Sequence, residues 1–522
     1  MRFACLALLP MALASPSYAA TCESLAMLAR PNTTILSATT QTAGSFVPPA
    51  PAGGRGGAVN PVFGKLPSFC RVTASLTPTA DSDIRIEVWL PTSGWNGKLQ
   101  SVGNGAWAGT IGYPALGNAL VGGYATAATD TGHVGNTAKF VPGHPEKMID
   151  YGYRAVHEMT LAAKAIVSAF YGDGPRLSYW NGCSTGGRQG LMEALRYPAD
   201  YDGIIAGAPV NYRTHQLTWE LWIAQAVHRD EASYIPPTKY PAIHQAALNA
   251  CDGRDGLKDD LIDDPRSCRF DPAVLECKSG DTATCLTHAQ VEAAHRIYAP
   301  AVNPKTKQQI FPALQPGSEL GWNGLAGPQP VGEAVEFFQY VVFNDPKWDY
   351  RTLEFDTAAE AADKAAAGVL NVTDPNLKPF FDRGGKLLLY HGWNDQLVAP
   401  VNSVNYYTSV TTMLDSGKAA SSIRLFMMPG VNHCQGGNGP DSFDRMRKPA
   451  WMRGPRSAGA MPRLAPHASG WHRAGWRSAK NDWARANCSV RAGSTRSVRA
   501  AAPTMSDPPV KTPTVRVPSS SR

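Results

Sequence analysis

The sequence predicts an α/β fold: a largely parallel sheet, covered on both faces by helices and interrupted by one long insertion. Three observations predict it. Short apolar strand patterns alternate with helical patterns in the first half of the chain. The alternation stops near Asn211 and resumes near Lys386. Glycine-rich turns stand directly after strands, where open α/β sheets keep their chemistry. At 522 residues, 43% hydrophobic and 17% charged, the chain is globular and long enough for one large core with a substantial insertion.

The first 19 residues read as a secretory signal. Arg2 is the positive region, Phe3 to Leu13 is apolar, and Ser17-Tyr18-Ala19 offers small residues for cleavage. The apolar run is short for a membrane span, which needs ~20 residues, and no later segment is long and apolar enough. The expected location is therefore secreted or periplasmic. The nine cysteines beyond Cys5 fit an oxidising compartment, and the absence of a C-x-x-C pair argues against structural zinc.

Residues 20–210 form the first part of the expected core. Ala43 to Val59 is rich in Gly, Pro and Ala and reads as loop. Asp83 to Leu90 alternates apolar and polar residues as a strand does, and Pro91 stops it. Lys98 to Val102 is the next strand, running into Gly103-Asn104-Gly105-Ala106-Trp107-Ala108-Gly109. Asp150 to Tyr171 carries helical spacing, Leu177 to Trp180 and Gly203 to Ala206 are short strands, and Gln189 to Arg196 is helical. Residues 211–376 read as an inserted lid domain, with short apolar runs, acidic turns and four clustered cysteines. The core resumes over 377–444 with strands at Lys386 to Tyr390 and Ile423 to Met428.

Between strand and helix lies Gly182-Cys183-Ser184-Thr185-Gly186. Strand, sharp turn and helix is the setting a G-x-S-x-G nucleophile elbow requires. Alone the motif is weak, but two later segments complete it. His391-Gly392-Trp393-Asn394-Asp395 and Val431-Asn432-His433-Cys434 each follow a strand. The order Ser184, Asp395, His433 is that of an α/β-hydrolase core. Ser184 is expected to attack an acyl carbon, His433 to shuttle its proton, and Asp395 to orient the imidazole. The amides of Thr185 and Gly105 are the expected oxyanion donors. Cys183 precedes the serine and Cys434 follows the histidine. If those side chains meet, their neighbours fall within disulfide reach, which predicts a Cys183–Cys434 bridge.

These segments, with Ala128-Thr129-Asp130-Thr131-Gly132-His133, resemble the tannase/feruloyl esterase family, which includes mono(2-hydroxyethyl) terephthalate hydrolases. The resemblance runs from about Cys22 to Phe443. It implies a secreted serine esterase with an α/β-hydrolase core, a lid and a calcium site in the lid, acting on esters of gallic, hydroxycinnamic or related aromatic acids. It also implies the pairs Cys22–Cys70, Cys251–Cys268 and Cys277–Cys285. The residues themselves suggest a cation loop, because Asp252, Asp255 and Asp259 recur in a Gly-punctuated turn without EF-hand spacing. The family pattern adds the carbonyls of Leu257 and Leu261. Ca²⁺ there is expected to be structural. Trp219, Trp222, Trp322, Phe337 and Phe338 stand between two roles, cover for an aromatic acyl group or lid core.

The composition breaks past Asp444. Residues 445–522 hold thirteen Arg and three Lys against two Asp, a net +14, so the rest of the chain carries −7 within the total of +7. Three readings compete for this tail: a polyanion- or membrane-binding arm, a disordered extension, or the product of a frameshift near Phe443. The abrupt, period-free change favours the last, and the pI of 8.8 then carries no message about partners such as nucleic acid. A lipase or peptidase on the same fold is the rival enzyme, though a lipase should show a long apolar lid helix. A non-catalytic binding protein on this scaffold is the rival outside enzymes. Neither the acyl and alcohol groups nor the oligomeric state is legible.

Overall fold

The computed structural model describes residues 20–49, 60–443 and 446. The expected signal segment, loop residues 50–59 and, apart from Met446, the basic tail lie outside the described residues. A nine-stranded sheet forms the frame. In chain order its strands are β1 (Thr33–Gln41), β2 (Phe69–Leu76), β3 (Ile84–Pro91), β4 (Lys98–Val102), β5 (Ala125–Thr129), β6 (Leu177–Cys183), β7 (Gly203–Gly207), β8 (Lys386–Gly392) and β9 (Ile423–Met428). Across the sheet they run β1-β2-β3-β5-β4-β6-β7-β8-β9. The first three pairings are antiparallel and the remaining five parallel.

Strands β1, β2 and β5 add to those the sequence predicts. β5, Ala125-Thr126-Ala127-Ala128-Thr129, is buried at every position. A strand covered on both faces has no polar alternation, and alanine has little strand preference, so neither signal marks it. Side-chain alternation divides the sheet's two faces. Val88 and Leu90 join Met159, Ile166 and Leu191 in one core. Trp89 points the other way, into a cluster with Phe46, Leu116 and Leu120. The latter two sit on α1 (Tyr113–Val121), and the opposite core is built on α2 (Ala155–Tyr171) and α3 (Thr185–Arg196).

The helix expected from Asp150 begins differently. A short α-helix, Pro145–Ile149, leads into a wider π turn at Asp150–Arg154, and the long α-helix starts at Ala155. That turn brings the Tyr151 hydroxyl to donate to the Ala106 carbonyl at 2.7 Å, tying the helix to the loop after β4.

The residues between β7 and β8 supply most of a second core, which Trp107, Ala138, Met148, Tyr151 and Ala399 complete from outside the insertion. Its centre is α4 (Arg213–Val227), buried on almost every side. Trp219, Trp222, Trp322, Phe337 and Phe338 all lie in this core, at 0–7% exposure. Their role is packing. One polar stripe, Arg213, Gln216 and Glu220, runs along α4 at spacings of three and four. Among the described residues no helix is long and apolar enough to cross a membrane.

On α3, Glu193 is buried beside Asp200 and His157, all three within 4.8 Å of one another. Burial, then the charge of Asp200, push the Glu193 carboxyl well above its ordinary value. Between its unfolded and its raised folded pKa the group is neutral in the fold and ionised in the unfolded chain. Its contribution is fully present below pH ~4.5 and is lost as pH rises, by up to about 1.4 kcal/mol per pH unit until the folded group ionises. Urea denaturation between pH 5 and pH 8 should therefore show a smaller fall in stability for Glu193→Gln than for the wild type. Parallel pH dependences would refute this assignment.

Candidate active site

The chain leaves β4 towards β5 on one side and returns to β6 on the other, which opens a crevice at the carboxyl ends of β4 and β6. Ser184 stands at its floor with φ 61° and ψ −125°, a strained conformation for a residue other than glycine. The strain is held from both sides. Ser184 N donates to Gly207 O at 2.9 Å, and Arg188 N donates to Ser184 O at 3.0 Å. A Cβ at Gly182 would lie 2.4 Å from the Gly186 carbonyl oxygen, so the strand can approach the helix this closely only through glycine.

The loop after β4 caps the start of α3. Gly186 N donates to Asn104 O at 2.8 Å, and the Thr185 hydroxyl donates to Ala106 O at 3.0 Å. In this loop Gly103 N is taken by Asn181 O and Asn104 N by the Gln189 side chain. That leaves the amides of Gly105, Ala106 and Trp107, together with Thr185 N, without a protein acceptor among the described residues. Trp107 anchors the loop: its carbonyl bonds His133 Nε2 at 2.6 Å and its indole N–H donates to Glu333 O at 3.3 Å.

Asp395 lies past β8 and is fully buried. Its Oδ1 accepts from the amides of Leu397 at 2.8 Å and Val398 at 2.9 Å. Its Oδ2 meets two imidazoles, His433 Nδ1 at 2.7 Å and His391 Nε2 at 2.9 Å. Burial by itself would raise this carboxyl. The charge of His433 and the hydrogen bonds from His391 and His433 prevail and hold it well below the usual carboxylate range. For His433, burial pulls the pKa down, the Asp395 carboxylate outweighs it, and the net shift is upward. Glu333 adds to that rise and Arg213 opposes it. These two are an ion pair from the insertion. His433 N also donates to the Gln396 side chain at 3.2 Å.

The disulfide Cys183–Cys434 is formed, with Cα atoms 6.0 Å apart, and brings the neighbours Ser184 and His433 to the same place. Cys22–Cys70, Cys251–Cys268 and Cys277–Cys285 are formed as well. Asp395 and His433 are thus joined, and the bridge sets the chain neighbours of Ser184 and His433 side by side; among the described residues no hydrogen bond links the Ser184 hydroxyl to His433. The sequence reading missed His391, Gln396 and the Arg213–Glu333 pair. His391 did carry a signal, a histidine ending the apolar run Leu387 to Tyr390.

The carboxylates of Asp252, Asp255 and Asp259 share one loop but do not all come within 4.8 Å of one another. Asp252 accepts from the amides of Asp259 and Asp260, each at 3.2 Å, and Asp255 accepts from Leu257 N at 2.9 Å. Burial, then the charges of Asp252 and Asp255, push Asp259 upward. None of the three pairs with a lysine or arginine among the described residues. Mutual repulsion without a protein counter-charge is what a cation would relieve, so the donor set fits one. The loop touches the histidine segment: Asn438 Nδ2 donates to Asp260 O at 2.7 Å, and Leu261 lies against Gly430.

A family model described as tannase and feruloyl esterase matches residues 70–453. The chain belongs to that family. It is 39% identical to an uncharacterized esterase of Xanthomonas campestris pv. campestris, over 84% of this chain and 80% of that one. It is 34% identical to a probable feruloyl esterase B-1 of Aspergillus terreus, over 71% of each chain. The crystal structure of feruloyl esterase B from Aspergillus oryzae superposes with a TM-score of 0.73 at 31% identity, covering 80% of this chain and 84% of that one. A tannin acyl hydrolase from Aspergillus niger, at 23% identity and TM-score 0.65 over 79% and 82% of the two chains, shares the fold. The protein is a carboxylic ester hydrolase with an α/β-hydrolase core.

The Cys183–Cys434 bridge closes a sequence separation of 251 residues. Loop entropy assigns such a bridge about 5 kcal/mol. The double variant Cys183→Ala, Cys434→Ala should lose stability of that order in guanidinium denaturation. Turnover should fall about 10²-fold, as expected when nucleophile and base shift by ~1 Å. Unchanged turnover would refute the positioning role.

Proposed function

We propose that this esterase hydrolyses carboxylic esters of aromatic acids, of the gallate and hydroxycinnamate kind, through an acyl-enzyme on Ser184. The observation that carries the reading is the bond from His433 Nδ1 to the buried Asp395 carboxylate at 2.7 Å, covalently tethered beside Ser184 by Cys183–Cys434. His433 Nε2 takes the Ser184 proton as Oγ attacks the carbonyl carbon. The tetrahedral oxyanion is met by the amides of Thr185 and Gly105. His433 returns the proton to the departing alcohol, then activates water to release the acid and restore Ser184. The substrate class rests on the relatives named feruloyl esterase and tannin acyl hydrolase.

The tests are direct. Ser184→Ala should reduce turnover of methyl gallate, methyl ferulate or mono(2-hydroxyethyl) terephthalate by ~10³-fold or more and leave the melting temperature in place. Residual turnover near the wild-type level would remove Ser184 from the mechanism. His433 must be neutral to act as base and its pKa is raised. The acid limb of kcat/KM should therefore lie above pH ~6.5, with activity lost as pH falls through it. An acid limb near pH 4.5 would point to a carboxylate base instead.

Two further parts belong to this reading. The protein acts outside the reducing cytosol, which the four disulfides among the described residues support. The carboxylates of Asp252, Asp255 and Asp259, with the carbonyls of Leu257 and Leu261, hold a structural Ca²⁺ in the insertion. Bound there, the ion neutralises charge and braces the loop, and it takes no part in the chemistry. EGTA should lower the melting temperature, with Ca²⁺ restoring it, and Asp255→Asn should blunt that response. A melting temperature indifferent to EGTA would refute the site.

A further inference from the structure

His391 lies outside the Ser–His–Asp set, yet it is fully buried and every polar atom of its ring is engaged. Nε2 faces two oxygens that can only accept, Asp395 Oδ2 at 2.9 Å and Val398 O at 3.1 Å. The proton therefore sits on Nε2 and is shared between them. Nδ1 lies 2.7 Å from the Ser403 hydroxyl. In the neutral ring it accepts, and Ser403 donates. Ser403, at the start of the helix Val401–Thr412, is fully buried too, so this polarity is built into the packing.

We propose that His391 is a positioning residue, a second imidazole that shares the Asp395 Oδ2 with His433 and thereby sets both the direction of that carboxylate and the basicity of His433. The inference rests on the esterase reading above. Oδ1 is fixed by the amides of Leu397 and Val398, and Oδ2 would be fixed by His433 alone if His391 were absent. With the two amides holding Oδ1, His391 adds on Oδ2 a donor that takes no part in the proton transfer. His391 holds the carboxylate's orientation through that step. Its N–H also withdraws part of the negative charge that Asp395 offers to His433, so it tempers the rise in the base's pKa. The charged and titratable groups facing this cluster are His433 and Asp395 from the core, with Glu333 and Arg213 from the insertion. No other cation or acid is needed to explain the effect.

The test compares His391→Gln, which keeps an N–H near the Nε2 position, with His391→Leu, which keeps volume and loses the donor. Full pH profiles of kcat/KM are measured on an ester that Ser184→Ala no longer turns over. His391→Leu should lower kcat/KM about tenfold and move the acid limb to higher pH by roughly half a unit, because an unshared carboxylate binds the imidazolium more strongly. His391→Gln should restore both. A His391→Leu profile with the wild-type acid limb would overturn the proposal, since loss of stability alone moves no limb. Should His391→Leu not fold, ¹⁵N-histidine NMR of the wild type decides. A ring fixed as the Nε2–H tautomer supports the proposal, and an Nδ1–H tautomer overturns it. If no ester is turned over in a Ser184-dependent way, the esterase reading fails, and the NMR result still reports on the hydrogen bond by itself.

Discussion

One negative charge, kept ionised where water cannot reach it, organises this molecule. A carboxylate moved into a protein interior is stable only if its oxygens are fully hydrogen-bonded or paired. Asp395 meets that condition with four donors, two amides on one oxygen and two imidazoles on the other. The four donors come from three constraints. The amides require the tight turn from Asp395 to Val398, His391 requires that β8 end where it does, and His433 requires the loop after β9. Strand pairing between β8 and β9 sets the spacing of those last two. The parallel part of the mixed sheet is in this sense the device that makes one buried carboxylate tolerable.

The insertion is more than a cover. Through Arg213 and Glu333 it places a fixed ion pair within electrostatic reach of His433. Through Trp107 it grips the loop beside Ser184, and through Gln216 it touches Leu397 O at 3.4 Å, two residues from Asp395. The acidic loop reaches the same region from the other side by way of Asp260 and Asn438. The insertion is thus in contact with the loop of Asp395, the segment of His433 and the loop after β4 that lies beside Ser184.

How much of this the chain disclosed follows from which interactions are local. The elbow at Ser184 and the acid and base loops were legible because each is written in a few adjacent residues whose types the turn demands. The Cys183–Cys434 bridge was legible because it follows from those positions. β5 was hidden, since its burial on both faces removes the alternation that marks a strand. The π turn at Asp150–Arg154 was hidden because its reason, the Tyr151 bond to Ala106, is tertiary. His391 stood in view four residues before Asp395, but its role depends on Ser403 and Val398, whose approach no local pattern records. The aromatic residues of the insertion were ambiguous for the same reason, and packing assigns them to the interior.

The bridge between Cys183 and Cys434 also dictates a timetable. Cys183 leaves the ribosome with β6, and Cys434 follows 251 residues later. Translation at ~5–20 residues per second makes that interval on the order of tens of seconds. Throughout it Cys183 has no lasting partner, while four other cysteines, Cys251, Cys268, Cys277 and Cys285, appear in order. Each of those finds its mate within 17 residues or fewer, so the short loops can close first and leave the long one for last. The spacing of the cysteines along the chain is then itself a guard against mispairing: locality protects the insertion's thiols, and the reactive centre is locked only when the final strand has arrived.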